Sequence, residues 1–279
     1  LRILGRLRPS ERQAMFVWAG MVGFFGAWAA LAFKAATSGL QWLLTGHHGG
    51  FVATFRQLDP WHRFAVPVVG AMAAGGLLML SQRFIRRKAT DYMEAVALGD
   101  GDVPVRASLA RSGAALLSIA SGEAIGREGP LVQLAAVAAS LAARVRRVST
   151  ARKRLLVACG AAAGIGAAYH TPLAGALFVA EIVLGSMAME SLGPLLIASV
   201  VAALTVRGVE GTDPLYAYST FTIGPPRETV LYAVVGVLCG LGAALWMRLL
   251  KVAKRWFGAV PGPVWLRLTL GGIIVGLAL

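Results

Sequence analysis

Charge is what this sequence has least of. Only 14% of its 279 residues are Asp, Glu, Lys or Arg, against about 25% in ordinary soluble domains. Acid is scarcer still: 13 Asp and Glu stand against 27 Lys and Arg, a formal net charge of +14. The two cysteines, Cys159 and Cys239, lie far apart in apolar stretches. That excludes a disulfide framework or a Cys-based metal site and leaves them as packing residues. No HExxH, GxSxG or Cys/His constellation is present, so metalloprotease or serine-hydrolase chemistry is not expected, and neither a metal nor a cofactor is called for. The one enzymatic alternative is a carboxylate pair of Glu123 and Glu128, which has no metal or nucleophile motif to work with.

What the chain has instead is apolar length. Hydrophobic residues make up 57% of it, with a mean hydropathy of +0.69. Residues 16–33 and 64–82 carry no charge at all, and each is long enough to cross roughly 30 Å of hydrocarbon as a helix. The basic residues gather where apolar segments end. Arg2, Arg6, Arg8 and Arg12 precede the first run, Arg83, Arg86, Arg87 and Lys88 follow the second, and Arg144 to Arg154 fill one short connection. This is the positive-inside pattern of a multi-pass membrane protein, and it predicts a cytoplasmic N-terminus. The lipid bilayer is therefore the expected partner of these charges, and nucleic acid is not.

Periodicity and breakers predict an all-helical chain. Helices are expected over 11–45, 63–87, 92–97, 104–120, 129–143, 151–168, 172–188, 191–207 and 228–257, with a final apolar span after the Pro-Gly-Pro turn at 261–263. The 129–143 segment would be about 22 Å long at ~1.5 Å per residue, too short to cross. With Arg144, Arg146 and Arg147 at the interface, its N-terminus should lie within the membrane thickness. Broken helices that aim their ends at a buried point are how transporters build ion sites.

That N-terminus is the most informative stretch of the chain. Residues 126–143 read GREGPLVQLAAVAASLAA, an Arg and a Glu set against a long uncharged run. Ionised groups in such a place are functional candidates by default. Pro130 suits a first helical turn, where its missing N–H costs nothing. Gly126 and Gly129 let another group approach the backbone. The turn offers free N–H groups and partial positive charge, an anion site. Glu128 is the local anion, so its carboxylate and a free anion would compete for one place. Arg127 shapes the local field or pairs structurally.

GREGP at 126–130, followed by ACGAAAGIGAAYHTPLAGALFVAEIVLG at 158–185, resembles the CLC chloride channel and transporter family. TDYMEA at 90–95 and SGEAIGREGP at 121–130 are similar to its bacterial ClcB-type branch. The resemblance implies an all-α membrane protein, a bundle of tilted and half-spanning helices incomplete at the C-terminus. Residues 1–279 would be the N-terminal part of one CLC-type transmembrane domain, the second half being absent. It further implies a homodimer in a bacterial inner membrane that passes chloride or another monovalent anion. Glu128 would be the gate of a passive, voltage-gated-type channel, with Gly126, Arg127, Gly129 and Pro130 forming the anion-binding helix start. The alternatives are a chloride/proton antiporter and a truncated, non-conducting half.

Two departures stand out. Where better-known members carry GSGIP, this chain has ATDYM. Thr90 aligns with that motif's serine, whose hydroxyl faces the anion; a one-residue shift puts Ala89 there, and a helix-capping Thr90 is the bland reading. Exchangers carry paired glutamates after PLAG, the second accepting protons, whereas here the pair is Glu181-Ile182. Glu181 and His170 are the remaining candidates for a proton path, although each could equally be structural.

Overall fold

The structure is a computed structural model that describes residues 11–47, 49–85, 90–146, 148–211, 225 and 227–279. Arg2, Arg6, Arg8, Arg86, Arg87, Lys88, Ala89 and Arg147, singled out above, lie outside the described residues. Among the described residues the regular elements are all helical. They are α1 (Glu11–Thr45), α2 (Phe51–Gln57), α3 (Pro60–Phe84), α4 (Tyr92–Ala97), α5 (Val105–Ala120), α6 (Glu128–Arg146), α7 (Thr150–Tyr169), α8 (Pro172–Phe178), α9 (Met189–Glu210), α10 (Glu228–Ala259) and α11 (Val264–Ala278). A π-helical turn, Val179–Val183, continues α8. By length and composition, α1, α3, α9 and α10 can each cross a membrane.

Three elements differ from expectation. α2 falls in a stretch expected to be loop. Its FVATFRQ sequence is a weak helix former, and packing holds it: Phe51 stacks on Phe55 at 4.4 Å between ring centroids, and Phe55 is buried with Leu58 and Val66. α6 begins one residue early and runs three residues long, to 19 residues, about 28 Å at ~1.5 Å per residue. Length alone therefore no longer makes it a half-spanning helix. Glu128 extends it at one end, where an acidic first turn suits the helix dipole. The expected 172–188 helix is regular only to Phe178. Leu184 then donates to the Val179 carbonyl five residues back, at 3.0 Å, and Gly185 at φ +63° ends the element.

Residues Leu1–Asp213 with Val264–Leu279 form one compact unit, and Pro214–Pro263 form a second. In the first, α6 and α7 meet through small residues. A Cβ on Gly160 would lie 2.7 Å from the Ala135 carbonyl oxygen, and one on Gly164 would lie 2.7 Å from the Val132 Cα. α11 packs on α3 in the same way, Gly276 lying against the Phe64 carbonyl. Close helix contact through Gly and Ala is the packing expected where lipid removes the hydrophobic drive between helices. Among the described residues the second unit holds one helix, α10, which carries Gly236-xxx-Gly240.

Candidate functional site

The start of α6 is laid out by its own sequence. The Arg127 carbonyl accepts the Leu131 N–H at 3.2 Å, so Arg127 caps the helix and Glu128, Gly129 and Pro130 form its first turn. The N–H groups of Glu128 and Gly129 thus have no acceptor within the helix, and Pro130 has none to leave over. The Glu128 side chain folds back toward the residue two before it: a Cβ added to Gly126 would collide with its Oε2. No ion pair joins Glu128 to Arg127 among the described residues.

Beside this turn is a cleft of about 380 Å³, lined by Tyr92, Glu128, Gly129, Val132, Ile165, Tyr169, Thr171, Ala174 and Phe178. Glu128 is the only acid in that lining, and the rest is largely apolar. The far wall is set by PLAG. Pro172 opens α8, and the Gly175 N–H bonds the Thr171 carbonyl at 3.0 Å. A Cβ on Gly175 would lie 2.9 Å from Ser199 Oγ and 3.0 Å from the Ala162 carbonyl oxygen, so only glycine lets α8 sit this close to α7 and α9.

The other residues read from the sequence are placed less uniformly. Gly126, Arg127 and Pro130 adjoin the cleft through the turn but do not line it. Thr90 is half-buried and also outside the lining, its carbonyl accepting from Gln133 Nε2 at 3.4 Å. His170 ends α7 in the left-handed region at φ +57°. Its Nε2 lies 3.5 Å from Glu210 Oε2, which also pairs with Lys34 Nζ at 2.8 Å. The neighbours of His170, Tyr169 and Thr171, line the cleft, whereas His170 lies against Glu210 and Arg207 of α9. Glu181 and Ile182 are both exposed on the π-helical turn.

Sequence reasoning missed Tyr92, Tyr169, Thr171 and Phe178 as cleft walls, because pairing them requires the fold. It also missed Gln133. A single amide in the run LVQLAAVAA was the available signal, since a buried polar group calls for partners.

Away from the cleft, charges fasten the elements that carry it. Asp102, between α4 and α5, pairs with Arg144 at 2.9 Å and with Lys153. Burial would raise the Asp102 pKa, but the Lys153 and Arg144 bonds outweigh it and hold it below the usual value. Arg154 donates to the last carbonyls of α4, Val96 and, at 2.7 Å, Ala97.

The family model described as voltage gated chloride channel matches residues 69–279. A ClcB-like protein of Ralstonia nicotianae is 46% identical over 94% of this chain and 62% of its own length. The voltage-gated ClC-type chloride channels ClcB of Yersinia pestis and of Escherichia coli are 43% and 42% identical, over 94% and 93% of this chain and 63% of each relative. The chain thus spans a little under two thirds of the length of the curated relatives it matches. Among solved structures, a slow cyanobacterial Cl⁻/H⁺ antiporter superposes with a TM-score of 0.74 at 23% identity, over 98% of this chain and 64% of that one. A eukaryotic CLC transporter gives 0.69 at 16% identity, over 95% and 48%. The two structures share the fold, and the family match decides membership: this chain belongs to the voltage gated chloride channel family, CLC.

Proposed function

We propose that this chain is the N-terminal part of a single CLC-type transmembrane domain that passes chloride through a pore gated by Glu128. The observation that supports the reading is an acid in the first turn of α6 whose Oε2 lies over Gly126, near N–H groups that have no acceptor within the helix. A helix N-terminus offers roughly half a positive charge, enough to hold an anion yet weak enough to release it. An ionised Glu128 occupies that place. Protonation, or displacement by chloride, vacates it. Gly126 and Gly129 keep the backbone accessible, Pro130 shapes the turn, Arg127 adds to the field, and the Thr90 hydroxyl serves the inner side. The protein would work as a homodimer in a bacterial inner membrane, N-terminus in the cytoplasm.

The passive mode is favoured by Ile182, which cannot carry a proton. Chloride/proton exchange is the second reading, favoured by the exposure of Glu181 on a π-helical turn, a feature common at functional sites. The test uses the complete protein in liposomes. Glu128→Gln and Glu128→Ala should give anion flux that no longer responds to pH. Arg127→Ala should keep the pH response and weaken anion attraction. A wild-type pH response in Glu128→Ala would overturn the gate.

A further inference from the structure

Gln133 is 8% exposed, and each of its polar contacts leaves its own helix. Its Oε1 accepts the Tyr92 N–H at 3.1 Å, while its Nε2 donates to Ser108 Oγ at 2.9 Å and to the Thr90 carbonyl at 3.4 Å. One amide thus ties α6 to both α4 and α5. Its orientation is dictated, because a flipped amide would set its oxygen against the Thr90 carbonyl and its NH₂ against the Tyr92 N–H. The tie also satisfies a donor that α4 leaves open: Asp91, the N-cap, makes no side-chain capping bond, and the first free N–H of the helix, that of Tyr92, is taken by Gln133.

We propose that Gln133 is the positioning residue that sets the distance between the α4 and α6 walls of the cleft, and thereby its discrimination among monovalent anions by size. Gln133 lies one helical turn beyond Gly129, on the same face of α6. Gly129 and Tyr92 are both cleft residues, so slack in this clamp changes the width of the cleft. The inference rests on the transport reading above.

The experiment measures relative chloride, nitrate and thiocyanate flux in liposomes, using the complete protein in a Glu128→Gln background to remove the native pH response. Gln133→Leu keeps the bulk but leaves the Tyr92 N–H and Thr90 carbonyl unpaired. It should lower the preference for chloride over thiocyanate by about fivefold, or about 1 kcal/mol at 25 °C. Gln133→Glu should match the parent's preference at low pH, where a protonated carboxyl can still donate to Thr90, and shift toward the Gln133→Leu value at high pH, where the carboxylate keeps the Tyr92 N–H but sets an oxygen against the Thr90 carbonyl. Reduced flux with unchanged preference would mark Gln133 as structural only and overturn the inference. If Gln133→Leu does not fold, the pH-reversible preference of Gln133→Glu decides alone. Failure of the unsubstituted protein to move any anion would overturn the transport reading, and this inference with it; parental preferences in a conducting Gln133 variant would overturn this inference only.

Discussion

The Glu128 carboxylate lies over Gly126, in the space where a side chain at position 126 would have to go. The acid in the first turn of α6 therefore rests in space left open by the glycine two residues before it. The acid and the room for it come from one pentapeptide, GREGP.

Gly126→Ala should accordingly act as a gating variant. The added methyl displaces Glu128 Oε2, so chloride efflux from liposomes at neutral pH should rise severalfold over the unsubstituted protein and respond less to acid. Unchanged efflux and pH response would show that the carboxylate has another resting place.

Proton coupling should be weak or absent. With a chloride gradient imposed on vesicles holding the complete protein, we expect no uphill proton movement at fixed stoichiometry, because Ile182 has no titratable group. Uphill movement would call for Glu181→Gln and His170→Ala, and loss of coupling in either would name the acceptor.

Asp102 should stabilise the fold in a pH-dependent way. Its pKa is lowered in the folded protein, so its contribution is complete above the unfolded value, ~3.9. It fades as pH falls through the lower, folded value. Asp102→Asn should cost about 0.2–1 kcal/mol near pH 7, the scale of a part-exposed ion pair. In thermal unfolding the deficit should shrink below about pH 4. A deficit that is constant with pH would locate the effect in packing.

Helix contact through α7 should tolerate almost no added volume. At Gly164 a methyl meets the Val132 backbone at 2.7 Å, so Gly164→Ala should destabilise by about 1–3 kcal/mol, the usual cost of overpacking. Gly208→Ala, with nothing within 4 Å of the added atom, is the matched control. Equal recovery of both variants as monodisperse protein would argue that α6 and α7 can move apart.

Much of the scaffold was legible in the residues. The charge-free runs gave the long helices, and the first, expected over 11–45, is Glu11–Thr45. GREGP gave a helix start beside Glu128, one residue later than the observed first residue, Glu128 itself, because Pro and Gly act through local backbone geometry that any fold must respect. α2 was not legible, since its helix depends on Phe51 and Phe55 finding a shared cluster rather than on propensity. Nor was the π-helical turn, because VAEIV has no breaker and the extra residue is accommodated only by packing.

The cleft divides the same way. The sequence by itself determined that this is a multi-pass helical membrane protein and that an acid sits at the N-terminus of an apolar helix, because burial cost and helix-end charge act over a few adjacent residues. Only the tertiary structure decided what faces that acid. Tyr92, Tyr169, Thr171 and Phe178 come from three separate segments, and Gln133 reaches back 41 residues to Tyr92. Such pairings are set by how closely Gly160, Gly164 and Gly175 let the helices approach, a three-dimensional constraint to which no local period or motif corresponds.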